Sequence, residues 1–360
     1  MRVIQWATGS IGRVVLRHVI DSPDLELVGL KVQNPAKAGR DAGDIVRRSP
    51  TGVIATTSID EILALDADVV LHIPLNGESP DEHVSDIERL LASGKNVITT
   101  VGFTYPFGVS QERAKRLKGA GIVGGATLYG TGMNPGFLSE RLAVTLTGLC
   151  TEVDSLSVQE VYDCTPVHSP GFIFELCGFG QSEEDFWRSS SGRAEFFGSL
   201  FGESIGFLIE TLQLPVDRVA RDHAVLLAEQ DLELLVGTIP AGTVRGVRWQ
   251  WHATKDEKPV ITVRAIWRCG EQTLGWEGDD GWQVRIEGSP RLKVDIEWLD
   301  PIGRPERSKA VQYTTAGPVV RAIYDVVAAP PGILIPQSFA HYRGPGSGVT
   351  DLAALVTAGA

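Results

Sequence analysis

The sequence predicts an α/β protein in which a doubly wound parallel sheet forms the N-terminal domain and an α+β domain with a mixed or antiparallel sheet follows. Two observations predict this class. In the first third of the chain, short apolar runs alternate with amphipathic helical patterns, which is typical of a parallel sheet covered on both faces. Later in the chain, alternating apolar and polar runs are joined by short polar turns, which indicates antiparallel strand pairs.

The elements of the first domain follow from these patterns. Ser58 and Ser110 are typical N-caps of two helices, and Gly94 follows the end of a third helix. Strands are predicted at 2–7, 25–32, 52–56, 67–73, 96–100 and 121–130, and helical patterns lie at 12–22, 58–65, 79–94 and 110–121.

The remainder of the chain has a different pattern. The elements predicted there are a helix at 137–150, a strand at 152–163, an aromatic-rich helix at 182–214, strand pairs around the turns at 254–259 and 288–291, and a helix at 314–334 that ends at prolines. The predicted domains are residues 1–135, residues 136–310, and a C-terminal helix and tail at 311–360 that pack back on the first domain.

Composition argues against several classes of protein. A formal net charge of −12 disfavours a nucleic-acid partner, because such binding depends on Lys and Arg. No apolar run approaches the length of a membrane span and no leader pattern is present, so we expect no membrane partner. The four cysteines form no C-x-x-C pair, so we expect no metal site and the free thiols of a reducing cytoplasm.

A glycine-containing turn lies between the first strand and the first helix. It keeps two of the three glycines of the G-x-G-x-x-G fingerprint of Rossmann domains. Gly9 would let the backbone approach a pyrophosphate, Gly12 would let the helix close on the strand, and the helix N-terminus offers oriented N–H groups. Ala7 replaces the first glycine, at little cost if its φ is negative. The turn consists of Ala7, Thr8, Gly9, Ser10, Ile11 and Gly12.

The alternative for this turn is an ordinary strand-to-helix connection that uses glycine for packing alone. Its position within an α/β unit favours dinucleotide binding instead. The residues after the second strand then bear on which dinucleotide binds. An acidic side chain there would hold the ribose diol of NAD, but no carboxylate occurs before Asp41. Lys37 and Arg40 can pair with a 2′-phosphate, and Asn34 lies in the same run. We therefore expect NADP, with NAD possible; the alternative is that both bases belong to a solvated loop.

Loops at the carboxyl ends of the parallel strands should lie beside the nicotinamide. The candidate neighbours are Pro74, Val101, Gly102, Asn134 and Pro135, although loops at this edge also need Gly and Pro simply to turn.

Three side chains are candidates for the chemistry. A carbonyl substrate needs hydride transfer at close range and a proton donor near the developing charge. Tyr105 lies after the fifth strand, where its hydroxyl could donate, and the alternative is an aromatic ring packed on the next proline. Glu160 lies on a strand early in the second domain, and His168 lies between two prolines. Each of the last two is also compatible with a structural or surface role.

Several segments resemble the dihydrodipicolinate-reductase-like family, and within it the branch of 2,4-diaminopentanoate dehydrogenases and native amine dehydrogenases. The segments are "VIQWATGSIGRVVLRHVIDSPDLELVGL", "ALDADVV", "SGKNVITTVGFTYP", "GTGMNPGF" and "APPGI". The resemblance implies a Rossmann domain, a second domain that supplies a substrate wall and a dimer interface, hence a homodimer, and NAD(P)-linked reductive amination of a carbonyl compound or its reverse.

The sequence departs from this family at two places. The histidine pair and lysine of dihydrodipicolinate reductases are absent, so that reaction is not expected. The loop at 101–106 lacks the glutamate that binds ammonia or the substrate amine in this branch, although "YP" at 105–106 matches.

Our first hypothesis is therefore an NADPH-preferring oxidoreductase that acts on a C=O or C=N carbon of a largely apolar small molecule. An aromatic block at 172–207 supports the apolar substrate if it lines a pocket, but it also fits a dimer interface or an ordinary core. Two alternatives stay open: an amine dehydrogenase in which Glu160 replaces the missing glutamate, and a dinucleotide-binding sensor without turnover.

Overall fold

A computed structural model describes residues 1–75, 81, 83–273, 275–276, 278–303 and 308–358, without the side chains of 190–194 and 358. Residues 79, 80 and 82 of one predicted helical pattern lie outside these ranges. The chain forms two compact units. The N-terminal unit consists of Met1–Asn76, Asp81–Phe137 and Leu299–Pro336, and the second unit consists of Gly77–Pro80, Leu138–Trp298 and Gln337–Ala360.

The strands are β1 (Arg2–Trp6), β2 (Glu26–Lys31), β3 (Ala55–Thr56), β4 (Val69–His72), β5 (Asn96–Thr99), β6 (Thr127–Gly130), β7 (Glu152–Asp163), β8 (Arg218–Arg221), β9 (Ala224–Leu227), β10 (Leu232–Leu234), β11 (Gly237–Ile239), β12 (Val244–Lys255), β13 (Lys258–Arg268), β14 (Gly281–Ser289), β15 (Leu292–Ile296) and β16 (Gly332–Ile333). The α-helices are α1 (Ser10–Asp21), α2 (Ala42–Val46), α3 (Ile59–Ala64), α4 (Val84–Ala92), α5 (Gln111–Gly124), α6 (Val144–Thr147), α7 (Glu183–Leu212), α8 (Ala310–Arg321), α9 (Ile323–Ala328) and α10 (Leu352–Ala358). Short 3₁₀ turns span Pro35–Lys37 and Pro106–Gly108, and π-helical segments span Leu138–Ala143 and Gly171–Leu176.

The sheet of the N-terminal unit is parallel and has the order β16-β6-β5-β4-β1-β2-β3. Its central strands are buried on both faces, as their continuous apolar sequences predict. One face packs against α1, α8 and α9 and the other against α3, α4 and α5. Each fully buried Val, Leu or Ile side chain stabilises this arrangement by about 1.5–3 kcal/mol. The predicted doubly wound parallel sheet is confirmed.

Two segments of this unit differ from the prediction. Residues 121–124 continue α5 instead of starting a strand, and Gly125 ends that helix with a left-handed φ of 68°. The apolar run misled the prediction because Ile122 and Val123 lie on an exposed helix surface. The predicted helix at 314–334 is divided into α8 and α9, and its end forms β16, which pairs with β6.

The second unit contains a mixed sheet with the order β15-β14-β7-β13-β12-β8, to which β9 adds beside β12. β7 and β13 are parallel, and the remaining pairs are antiparallel, so the predicted α+β domain is confirmed. The 30-residue helix α7 covers one face, where Phe197 lies 4.9 Å from Trp249 and Phe201 lies 4.8 Å from Trp251 between ring centroids. Most of the aromatic block is therefore buried core.

Two kinds of feature are absent from the described residues. Among those residues, no helix combines the length and apolar character that crossing a membrane requires. Within the same ranges, no three or more His, Cys, Asp or Glu side chains are grouped so that they could hold a metal ion.

Candidate active site

The turn between β1 and α1 forms a cradle open to a ligand. A Cβ added at Gly9 would meet no atom within 4 Å, so the backbone is open on that side. A Cβ added at Gly12 would lie 2.5 Å from the Ala7 carbonyl oxygen, so only glycine lets the helix pack this closely on the turn. Gly9 is the N-cap of α1 and supplies no side chain, and the first turn of the helix contains no acidic residue. The free N–H groups and the helix dipole therefore favour an anion here.

Ala7 occupies this turn at a cost. Its φ is 76°, in the left-handed region that glycine normally supplies, so the condition for a small cost, a negative φ, is not met. The turn geometry requires this conformation, and such a backbone costs an L-residue about 1–2 kcal/mol. Two hydrogen bonds hold the residue: its N–H donates to the Lys31 carbonyl at 2.8 Å, and its carbonyl accepts from Gln5 Nε2 at 3.0 Å. The alanine thus keeps the shape of the glycine-containing turn.

Lys37 lies directly beside this cradle. Its ammonium group donates to the carbonyl oxygen and to the hydroxyl of Thr8, both at 3.0 Å. Burial lowers the pKa of Lys37, and the positive charges of Arg13 and Arg40 lower it further. Three cations therefore gather at the start of α1 and the end of β2, where phosphate groups of a dinucleotide would lie.

The other polar residues of this loop hold its own backbone. Asn34 Oδ1 accepts from the Ala36 N–H at 2.9 Å and caps the 3₁₀ turn that carries Lys37. The Asp41 carboxylate accepts from the backbone N–H groups of Gly43, Thr51 and Gly52. These hydrogen bonds lower the pKa of Asp41, the largest effect being that of Thr51. The first acid after β2 is thus engaged in fixing the loop.

The loop after β5 crosses closely over β6. A Cβ added at Gly130 would lie 2.2 Å from the Phe103 carbonyl carbon, so this crossing requires glycine. Gly102 and Phe103 both adopt positive φ values, 103° and 61°. Val101 is 7% exposed and its N–H points to Thr99 Oγ1 at 3.4 Å. The predicted neighbours Val101 and Gly102 therefore lie in a tightly held loop at the carboxyl edge of the sheet.

The segment after β6 contains side chains with unused hydrogen-bonding capacity. Asn134 precedes a cis bond to Pro135, and both Nδ2 and Oδ1 of its amide are buried without a partner among the described residues. Thr131 Oγ1 is also buried without a hydrogen-bond partner among the described residues. A primary amide offers both a donor and an acceptor, so Asn134 can pair with a carboxamide such as that of nicotinamide. Pro74 is buried at the end of β4, at the same edge of the sheet.

His72 is a candidate that the sequence reasoning missed. It is fully buried at the end of β4, with Nδ1 2.9 Å from Thr99 Oγ1 and with Nε2 lacking a partner within the described part of the chain. Its ring centroid lies 5.2 Å from that of Trp6 and 5.3 Å from that of His83. Burial first, then the charges of His83 and Lys31, hold the pKa of His72 well below its ordinary value. A polar residue that ends the apolar strand Val69–His72 was the available signal.

The structure places the three predicted chemical residues in different surroundings. Tyr105 is half-buried at the start of a 3₁₀ turn, with its ring 6.1 Å from that of Phe107. His168 lies exposed in the loop after β7. Glu160 is 2% exposed, and its two carboxylate oxygens accept from the indole N–H groups of Trp267 at 2.9 Å and Trp282 at 3.2 Å. Glu160 thus joins three strands of the second sheet.

The parallel sheet, the anion cradle and the second mixed-sheet unit define an NAD(P)-dependent oxidoreductase. The chain belongs to the 2,4-diaminopentanoate dehydrogenase and amine dehydrogenase family. The model of the 2,4-diaminopentanoate dehydrogenase C-terminal domain matches residues 137–340, and that of the dihydrodipicolinate reductase N-terminus matches residues 3–118. The predicted family resemblance is confirmed.

Individual proteins agree with this assignment. An amine dehydrogenase of Streptomyces virginiae is 30% identical over 346 residues, which cover 92% of this chain and 93% of that protein. A 2,4-diaminopentanoate dehydrogenase of Acetoanaerobium sticklandii is 25% identical, with 92% and 91% covered. The solved structure of an amine dehydrogenase from Mycobacterium smegmatis shares the fold, with a TM-score of 0.78, 21% identity, and 95% of this chain and 98% of that chain covered.

Proposed function

We propose that this oxidoreductase prefers NADPH and transfers hydride to or from the C=O or C=N carbon of a largely apolar small molecule. The observation that carries the cofactor preference is the placement of Lys37 against Thr8 of the cradle, with the charges of Arg13 and Arg40 nearby. The diphosphate is common to both cofactors, but a 2′-phosphate beside these cations would add a further negative charge for them to pair with, whereas the two hydroxyls of NAD would add none. The cofactor supplies the hydride when it is bound.

The apolar substrate is supported by the residues at the strand ends. Val101, Phe103, Met133 and Pro135 are buried there, and neither loop, 101–106 or 131–137, contains a Lys or Arg that would hold a carboxylate. Tyr105 is our proposed proton donor, because it follows the same strand end and is half-buried. His168 is the second candidate for this role, since an imidazole can act as a general acid and this residue is exposed in the loop after β7.

Reductive amination with ammonia is the second candidate function. It is favoured by the Streptomyces virginiae relative, which is an amine dehydrogenase. The loop at 101–106 has no acidic residue, and both oxygens of Glu160 accept indole N–H groups. Because the chain offers no unengaged carboxylate at either place, we rank the ammonium-independent reaction first.

One experiment separates these functions. The purified protein is mixed with NADPH or NADH and with panels of aliphatic and aromatic ketones and aldehydes, each with and without ammonium, and loss of cofactor absorbance is followed. We expect NADPH oxidation that needs no ammonium and is fastest with apolar carbonyls. Oxidation only with ammonium would replace our first proposal with the amine dehydrogenase. Tight cofactor binding without turnover on any compound would instead support a sensor. A Gly12→Val variant, in which the added side chain would meet the Ala7 carbonyl, is the control without a cradle.

We also propose that the protein is a homodimer that uses the outer face of the second sheet. On this face, opposite Trp249 and Trp251, the Arg264 guanidinium donates to Gln159 Oε1 at 2.8 Å, and Gln250 Nε2 donates to Asp222 Oδ2 at 2.9 Å. An isologous contact would set this hydrogen-bonded face against the same face of a second copy. Light scattering after size-exclusion chromatography should give twice the mass of one chain, and a single-chain mass at all concentrations would refute this.

We also propose a cytoplasmic location, because the cysteines form no disulfide bond. All four, of which Cys164, Cys177 and Cys269 are buried, have free thiols, as is usual in a reducing compartment. Cell fractionation with an antibody to the protein would test this.

A further inference from the structure

The last residues of four neighbouring strands form a row at the carboxyl edge of the parallel sheet. Lys31, Trp6, His72 and Thr99 end β2, β1, β4 and β5, and the strand register pairs each of them with the next. Lys31 Nζ lies 4.2 Å from the centroid of the Trp6 ring, which lies 5.2 Å from the centroid of the His72 ring. His72 Nδ1 in turn lies 2.9 Å from Thr99 Oγ1. The row therefore runs from the strands beside the cradle to the start of the loop after β5.

Thr99 is the member of this row that contacts both loops with predicted nicotinamide neighbours. Its carbonyl oxygen accepts from the Thr131 N–H at 2.8 Å, at the start of the segment that contains Asn134. Its hydroxyl oxygen lies 3.4 Å from the Val101 nitrogen, which donates toward it at the start of the loop at 101–106. Thr99 is completely buried. One buried side chain and its own carbonyl thus hold the beginnings of two loops.

The loop after β5 needs an anchor of this kind because its backbone is strained. Phe103 is a buried L-residue with a φ of 61°, in the left-handed region that disfavours any side chain. The turn also passes so close to β6 that a Cβ added at Gly130 would lie 2.2 Å from the Phe103 carbonyl carbon. A strained backbone persists only where its surroundings hold it. Besides the contact with Thr99, the Thr100 N–H donates to the His72 carbonyl at 3.2 Å.

The imidazole of His72 fixes the Thr99 hydroxyl. The ring is completely buried between the rings of Trp6 and His83, which restricts its rotation. Burial holds the pKa of His72 well below its ordinary value, so the ring is neutral at pH 7 and Nδ1 can accept the proton of the Thr99 hydroxyl. The hydroxyl oxygen then keeps its lone pairs for the Val101 N–H. Nε2 has no partner among the described residues, so the hydrogen bond that the ring makes within them is the one to Thr99.

We propose that His72 and Thr99 are a pair of positioning residues for hydride transfer. Neither touches the reacting atoms; together they hold the strained loop at 101–106 so that Val101 and Gly102 keep their places beside the nicotinamide and Tyr105 keeps its place as proton donor. The pair rests on the function proposed above, because these are the loops that function uses. A small displacement of such a loop lowers the rate of the chemical step more than it lowers cofactor affinity, since the cradle that holds the diphosphate is unchanged.

Thr99→Val removes the hydroxyl and keeps the shape, and amide hydrogen exchange of the full-length protein, followed by mass spectrometry, is the measurement. We expect exchange in the segment 101–106 to become about tenfold faster, with slow exchange kept in Thr99→Ser. With NADPH and the best carbonyl compound, kcat of Thr99→Val should fall about tenfold while the dissociation constant of NADPH stays within about twofold. The matched control is Thr127→Val, which removes another buried threonine hydroxyl, one that donates to the Pro330 carbonyl at 3.0 Å. It should leave exchange at 101–106 unchanged.

Two amide variants of His72 separate the hydrogen bond from packing. The amide of His72→Asn reaches the place of Nδ1 and can still pair with Thr99, whereas the longer His72→Gln is closer to histidine in volume but carries its amide to the place of Nε2. We expect slow exchange at 101–106 in His72→Asn and fast exchange in His72→Gln; the reverse order would show a packing role and overturn the proposal. This comparison also decides if Thr99→Val fails to fold.

The proposal is equally overturned if Thr99→Val exchanges like the wild type, or if Thr127→Val or Thr99→Ser loosens the loop as much. Exchange needs no substrate, so a wild type without turnover would refute the proposed function and still show whether the pair holds the loop.

Discussion

Replacing Lys37 with alanine should reduce the affinity for NADPH and leave that for NADH nearly unchanged. Two unit charges 4 Å apart interact by about 4 kcal/mol at an effective dielectric constant near 20, and partial exposure of Lys37 reduces this value. A charge-assisted hydrogen bond contributes about 1.5–3 kcal/mol after desolvation. We therefore expect NADPH to bind about 10- to 100-fold more weakly, with a smaller effect at high salt.

The alternative role of Lys37 gives a different result. Its ammonium group also holds the cradle through Thr8, at 3.0 Å from both oxygens. Loss of that support alone would weaken NADPH and NADH equally. Fluorescence titration of both cofactors against wild type, Lys37→Ala and the exposed control Lys115→Ala distinguishes the two roles. An unchanged ratio of NADPH to NADH affinity in Lys37→Ala would refute the phosphate site.

Three further changes test the cradle and the core. Gly12→Ala puts a Cβ 2.5 Å from the Ala7 carbonyl, so it should destabilise the protein by about 1–3 kcal/mol and abolish cofactor binding, measured by thermal unfolding with and without NADPH. Ala7→Gly relieves the positive φ of 76° and should raise the free energy of unfolding by about 0.5 kcal/mol; a lowered value would show that the turn is unstrained. Burial lowers the pKa of His223 to about 4, so the native protein takes up its proton later than the unfolded chain as pH falls, and stability is lost below pH 6.5 toward pH 4. This loss should be about 2 kcal/mol between pH 7 and 4.5 in urea unfolding and should shrink in His223→Asn, which can still accept from the Gln250 N–H; an equal loss in both proteins would contradict the assignment.

The fold was predictable where local and tertiary preferences agree. Ser58 and Ser110 cap helices as expected, because their hydroxyls accept from Glu61 and Arg113 N–H groups. The strand after α5 was predicted to begin too early, because Ile122 and Val123 form an apolar run on an exposed helix surface that cannot be distinguished by sequence from the start of a buried strand. β16 was missed because its two residues, Gly332–Ile333, have no period of their own and are extended only by pairing with β6.

The candidate site was predictable as an edge of the sheet but not as a set of contacts. The strand-end rule placed Val101 and Asn134 at one edge, since it depends only on parallel topology. The sequence could not show that the amide of Asn134 lacks partners among the described residues, or that His72 is buried beside Thr99, because both depend on how distant loops fold over the edge.

The state of Glu160 follows from the same reasoning and bears on the reaction. Alternation along β7 placed Glu160 on one face, but the strand register decides which neighbours it meets there. Trp282 is directly opposite it on β14. On β13 its direct partner is Ala265, and Trp267 follows two residues later on the same face. Two indole donors satisfy a buried carboxylate in place of water, so recruiting Glu160 to an amine would break both hydrogen bonds. A Glu160→Gln variant keeps the shape but presents an amide NH₂ to one indole N–H. The free energy of unfolding of this variant should therefore fall by about 1–3 kcal/mol. A selective loss of ammonium-dependent turnover at unchanged stability would instead show that Glu160 acts in the reaction and not in holding the sheet.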